Sequence, residues 1–154
     1  MDGLEELLVK SACSDLITRY AMAVDEWDVN LFVSLFTEDA VWQRPHVPPL
    51  RGHAAIRDFM RAQPADRVLR HVNGGILVEV VDRDHASAFS QTTVYEVRGT
   101  TAVPAPGTVP NMLVEYRDAL VRAPDGWRIA RRDTTVVFTT AEEIPTPSGT
   151  PPTA

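Results

Sequence analysis

The stretch VLRHVNGGILVEVVD, residues 68–82, decides the fold. Before it, apolar residues recur with helical spacing. From Val68 onward the period becomes two and the runs are rich in Val, Thr and Tyr. Three more runs of that kind follow, Ala86–Arg98, Asn111–Arg122 and Trp127–Thr140, and Asp82-Arg83-Asp84 and Pro124-Asp125-Gly126 supply hairpin turns. Helices first and strands after predict an α+β domain: a curved, mainly antiparallel sheet packed on three N-terminal helices. Gly74-Gly75 interrupts the first long run, and a glycine pair inside a strand marks a bulge about which a sheet bends. A curved sheet closed by helices forms a cone, whose interior is a natural small-molecule pocket.

Working back from that stretch, residues 5–26 have the spacing of a helix, with Leu16, Ile17, Tyr20, Ala21 and Val24 on one side and Asp15 and Arg19 opposite. Cys13 lies on the apolar side and reads as a small buried hydrophobe. Asp28 reads as the N-cap of a second helix carrying Leu31, Phe32, Leu35 and Phe36. Thr37-Glu38-Asp39 is expected to turn into a short strand, Ala40–Gln43. Pro45 to Pro49 break structure, and a third helix with Ile56, Phe59 and Met60 follows Arg51-Gly52-His53. The connection 101–110, with Pro104, Pro106, Gly107 and Pro110, is long for a hairpin and is a candidate lid. The tail 144–154 holds four prolines and little that is apolar, so disorder is expected there, leaving 1–143 as one domain.

Composition narrows the function classes. A net charge of −6, a single lysine (Lys10) and scattered arginines argue against a nucleic-acid surface. Cys13 has no partner for an intrachain disulfide, which fits a reducing cytoplasm. The acidic start is unlike a signal peptide and no apolar run reaches bilayer length, so a cytoplasmic protein without membrane contact is expected. His46, His53 and His85 lack metal-ligand spacing, and no Gly-rich phosphate loop, Gly-x-Ser-x-Gly elbow or CxxC pair occurs. Neither metal nor cofactor is expected.

Three residues stand out chemically. Asp25 falls at the C-terminal end of the first helix, where the macrodipole disfavours a carboxylate. Holding a histidine in one tautomer is a reason for placing it there. His71 shares a strand face with Leu69 and Asn73 by alternation, and an imidazole with a carboxylate partner is a general base near neutral pH. Asp25 lies on the flank of the apolar stripe, roughly 110° from its centre at 100° per residue, so it turns either inward or to solvent. Tyr20 is central in the stripe, either as core packing or as a donor to a substrate carbonyl. Taken from the residues alone, His71 reads first as a satisfied core or edge histidine. Trp42, Phe59 and Phe89 read as pocket wall or core. Strict alternation puts Arg131 on the face of Trp127 and Ile129, where it meets an anionic or carbonyl group or forms an edge salt bridge.

The succession Tyr20-Ala-Met-Ala-Val-Asp25, Asp28, Leu35-Phe36-Thr-Glu-Asp39-Ala-Val-Trp42, Gly52-His53-Ala-Ala-Ile56, Arg70-His71-Val72-Asn73 and Gly126-Trp127-Arg128-Ile129 resembles the SnoaL-like branch of the nuclear-transport-factor-2-like superfamily. The resemblance covers residues 5–140 and implies the cone-shaped, cystatin-like fold. It is nearest to the cofactor-free dehydratases. Asp25 and His71 with Gly74-Gly75 match the acid and histidine of scytalone dehydratase, and Tyr20 matches the tyrosine of bile acid dehydratase. The chain departs on the next strand, where scytalone dehydratase has a second histidine and this sequence has Tyr95 and Glu96.

What the resemblance implies is a cofactor-independent lyase or isomerase, dehydratase-like or ketosteroid-isomerase-like, acting on a small hydrophobic cyclic substrate such as a steroid or polyketide. His71, Asp25 and Tyr20 are the expected catalytic residues, and Trp42, Phe59, Phe89, Tyr95 and Arg131 the expected substrate contacts. A homodimer is expected. The alternative is a non-catalytic binding or assembly module, like the small subunits of ring-hydroxylating dioxygenases, with a filled or collapsed pocket.

Overall fold

The structure, a computed structural model, describes residues 1–140; the expected disorder of 144–154 lies outside them. Helix α1 runs from Gly3 to Asp25. Asp2 caps it: its carboxylate accepts from the Glu5 N–H at 2.8 Å while Glu5 accepts from the Asp2 N–H at 3.1 Å. Val9, Cys13, Leu16, Ile17, Tyr20 and Val24 are buried at helical spacing and pack on the sheet. Helix α2, Val29–Ser34, begins at Asp28, whose side chain accepts from the Leu31 N–H at 2.9 Å. Helix α3 spans Gly52–Arg61 and buries Ile56 and Met60. Gly52 has φ +75°, and a Cβ there would lie 3.0 Å from the Glu38 carbonyl oxygen, so the entry to α3 requires glycine.

Six strands form one sheet in the order β2-β1-β6-β5-β4-β3. They are β1 (Phe36–Gln43), β2 (Leu50–Arg51), β3 (Arg67–Val80), β4 (His85–Arg98), β5 (Met112–Ala123) and β6 (Gly126–Thr139). The four long strands pair antiparallel, as expected. The sheet is mixed because β1 runs parallel to β6. That pairing corrects two expectations. Phe36 belongs to a strand, not to the second helix, and Thr37-Glu38-Asp39 is not a turn: it is an irregular part of β1, between the Phe36↔Ile129 and Val41↔Arg131 partners. Pairing with β6 holds these residues extended despite their turn-like composition.

Bulges place the site. Gly74 has no partner in the β3–β4 ladder, which steps from Asn73↔Thr92 to Gly75↔Gln91. Leu69, His71 and Asn73 face the helices before the bulge, and Ile76 and Val78 face them after it. A second bulge sits at Ala130, between the Leu120↔Ile129 and Ala119↔Arg131 pairs. Trp127 and Ile129 point into the core, and beyond the bulge Arg132 does so in place of Arg131. The 101–110 connection is largely exposed. Among the described residues no helix is long and apolar enough to cross a membrane.

Candidate active site

Asp25, the last residue of α1, reaches across to β3. Its carboxylate accepts the His71 backbone N–H (2.9 Å to Oδ2, 3.1 Å to Oδ1), and Oδ1 lies 2.6 Å from His71 Nδ1. Both side chains are 9% exposed. These bonds offset the unfavourable dipole at the helix end, and they answer which way Asp25 turns: inward. A carboxylate at this distance assigns the ring proton to Nδ1 and leaves the Nε2 lone pair unspent.

The imidazole lines a cavity of about 240 Å³. Phe32, Trp42, Phe59, Met60, Leu69, Val94 and Met112 supply its apolar wall; Tyr20, Tyr116, Gln63, Arg67, Glu96 and Arg98 supply its polar groups. Larger surface depressions, of about 540 Å³ beside Met1, Leu8 and Trp127 and about 380 Å³ around Phe89, contain no histidine. The aromatic wall is continuous: Tyr20 lies 5.2 Å from Phe32, 5.8 Å from Tyr116 and 6.2 Å from Trp42 between ring centres. Such pairs contribute about 0.5–1.5 kcal/mol each beyond burial and hold the cavity's shape. The Trp42 indole N–H donates to Thr134 Oγ1 at 2.9 Å, so the ring is fixed.

The structure brings together five of the eight residues expected at the site: His71, Asp25, Tyr20, Trp42 and Phe59. It corrects the other three. Phe89 and Tyr95 lie on the outer sheet face, because Ala88, Ser90, Thr92 and Val94 are the inward positions of β4. Phe89 packs there under the Arg117 guanidinium, 5.1 Å from its ring centre. Arg131 is also outside and forms a two-bond pair with Asp133, at 2.8 and 2.7 Å. The Ala130 bulge inverts the alternation that would have carried it inward. Nor does any residue of 101–110 line the cavity, so the lid expectation finds no support.

Arg132, Asp118, Tyr116, Arg67 and Glu96 join the expected residues; the sequence offered Arg132 only as the neighbour of Arg131, and Glu96 only as the neighbour of Tyr95. Arg132 and Asp118 are fully enclosed, their side chains 0% exposed, and pair through two bonds of 2.7 Å. The guanidinium carbon lies 3.9 Å from the centre of the Tyr20 ring and 4.2 Å from that of Tyr116. Burial works against the charge of Arg132, but the paired Asp118 carboxylate counters it, and the guanidinium stays protonated. Burial also raises the Tyr20 phenol, with Arg132 pulling it back, and raises that of Tyr116 further, so both remain neutral donors near pH 7. A signal for Asp118 existed: alternation from Val114 through Tyr116 to Leu120 puts it on the inward face, where an acid needs a partner. Arg67 precedes the expected strand start at Val68, although alternation through Leu69 and His71 puts it on the same inward face. Glu96, the inward neighbour of Tyr95, is held by Arg67 at 3.0 Å and Arg98 at 3.2 Å.

The fold is α+β, a curved sheet packed on helices, with a buried histidine–aspartate pair beside a hollow walled largely by apolar side chains. The chain belongs to the SnoaL-like domain family, whose model matches residues 5–133. No curated protein matches it significantly. Among solved structures, a nuclear-transport-factor-2-like protein of cystatin-like fold from Novosphingobium aromaticivorans is 26% identical, with TM-score 0.74 over 87% of this chain and 85% of that one. A candidate scytalone dehydratase from the same organism is 17% identical, with TM-score 0.77 over 91% of each chain. A hexachlorocyclohexane dehydrochlorinase from Novosphingobium barchaimii is 16% identical, with TM-score 0.74 over 90% and 93%. The last two likenesses are of fold.

Proposed function

We propose that the protein is a cofactor-independent lyase or isomerase in which His71 is the general base, Asp25 its orienting partner and Tyr20 the electrophilic donor. The observation that carries this reading is the 2.6 Å contact between His71 Nδ1 and Asp25 Oδ1 beside an apolar cavity. Nε2 takes a proton from the carbon next to a substrate carbonyl, and the carboxylate stabilises the imidazolium. The electron pair moves onto the carbonyl oxygen as an enolate, which the Tyr20 phenol stabilises by hydrogen bonding. In a dehydration the enolate expels the β-hydroxyl, and the imidazolium returns its proton to the departing oxygen, releasing water. In an isomerisation the proton returns to a different carbon. The names of the dehydrochlorinase and the candidate scytalone dehydratase, both eliminations, support the lyase branch.

The cavity volume bears on the substrate. About 240 Å³ lies below the roughly 300–1,000 Å³ of pockets for drug-sized ligands, which favours one- or two-ring substrates over a four-ring steroid. The assembly-module reading requires a filled or collapsed interior, and the hollow beside the His71–Asp25 pair favours the enzyme. Exposed Val72, Leu77 and Phe138 on the outer sheet face support a homodimer through that face. The test is His71→Ala assayed on one- and two-ring β-hydroxy ketones. Turnover by the parent and none by a variant of unchanged circular dichroism is expected; undiminished turnover rejects the base assignment.

A further inference from the structure

Arg67 enters the cavity on the same face of β3 as His71, yet the residues around it use only part of its guanidinium. Its side chain is 10% exposed, and Nη1 donates to Glu96 Oε1 at 3.0 Å. The guanidinium carbon lies 5.0 Å from the centre of the Trp27 ring, and Nε is buried without an acceptor. The second oxygen of Glu96 is already taken by Arg98 Nε at 3.2 Å. Two guanidiniums therefore share one carboxylate, so Glu96 has no second oxygen left for Arg67. Arg98 is 70% exposed and its charge is solvated; that of Arg67 is not.

We propose that Arg67 receives a carboxylate on the substrate, so that the substrates are ring acids: an apolar one- or two-ring scaffold with a carboxylate at one end and the activated C–H at the other. A guanidinium N–H donates to a carboxylate through a charge-assisted bond, about twice as strong as a neutral one. Glu96 occupies Nη1 and Nε is closed off among protein atoms, which leaves Nη2 as the donor without a protein acceptor. Arg67 and His71 are four residues apart on one strand with Leu69 between them, roughly 13 Å along the backbone, a span that the arginine side chain shortens to that of a two-ring molecule. The position of the C–H rests on the proposed role of His71; capture of the carboxylate does not depend on turnover.

The probes are 2-naphthoate and its uncharged isostere 2-naphthamide, titrated calorimetrically into the full chain. The parent protein is expected to bind the acid at least about tenfold more tightly than the amide. Arg67→Gln should bring the acid to parity with the amide and leave the amide's affinity unchanged. Arg67→Lys, which keeps the charge without the guanidinium, should fall between, and it serves as the test if the glutamine variant fails to fold. His71→Ala should retain the preference, which separates recognition of the acid from catalysis. Equal affinities in the parent, a preference that survives Arg67→Gln, or binding of neither probe overturns the proposal.

Discussion

Asp25→Asn isolates the role of the carboxylate. The acid accepts three contacts from one residue: the ring Nδ1–H at 2.6 Å and the backbone N–H at 2.9 and 3.1 Å. An asparagine has one oxygen and one donor group for the same two partners. If its oxygen stays on the ring, its NH2 faces the backbone N–H and leaves a buried donor unmade, at a cost of about 1–3 kcal/mol. If its oxygen takes the backbone N–H, the NH2 donates to Nδ1 and the ring proton moves to Nε2. The second arrangement leaves neither partner unsatisfied and is the one expected.

It exchanges a charge-assisted bond for a neutral one, a loss of about 1 kcal/mol. Relief of the like-signed helix end returns about 0.3–1 kcal/mol. The net change in stability is thus below about 1 kcal/mol, a melting shift of under about 4 °C for a chain of this size. Activity behaves differently, because Nε2 no longer carries a lone pair toward the cavity. Turnover should fall by about 10³–10⁴, the scale seen when a triad aspartate is exchanged for asparagine. Long-range ¹H–¹⁵N correlation spectra read the His71 tautomer without a substrate. An Nε2–H tautomer in the parent, or an unchanged Nδ1–H tautomer in the variant, refutes the reasoning.

Arg132→Met should destabilise by about 3–5 kcal/mol, because it strands Asp118 in a fully enclosed position, whereas Arg132→Met with Asp118→Leu should come back to within about 1 kcal/mol of the parent or exceed it; denaturant midpoints decide. Burial holds the Tyr20 and Tyr116 phenols above their ordinary value of 10.0. Their folded values exceed the unfolded ones, so the stability they contribute is complete below about pH 10 and is lost as pH rises through the folded values. The denaturant midpoint should fall with pH above that point, and Tyr116→Phe should make the fall shallower.

The sequence by itself determined the fold class, because periodicity is local: a period of two from Val68 onward and helical spacing before it survive without knowledge of neighbours. It also marked Asp25, since a carboxylate set against a helix dipole is anomalous within its own segment; His71 as its partner followed from the family resemblance. Tyr20, Trp42 and Phe59 were legible too, but pairing between strands settled the rest of the hollow. One unpaired residue in a ladder moves every later side chain to the other face, and the Ala130 bulge exists only in the pairing of β6 with β5. It exchanged Arg131 for Arg132 and so set the guanidinium against Asp118 and the two phenols. The strand character of Thr37-Glu38-Asp39 and the meeting of Arg67 with Glu96 arise in the same way, from a neighbouring strand that lies distant in the chain.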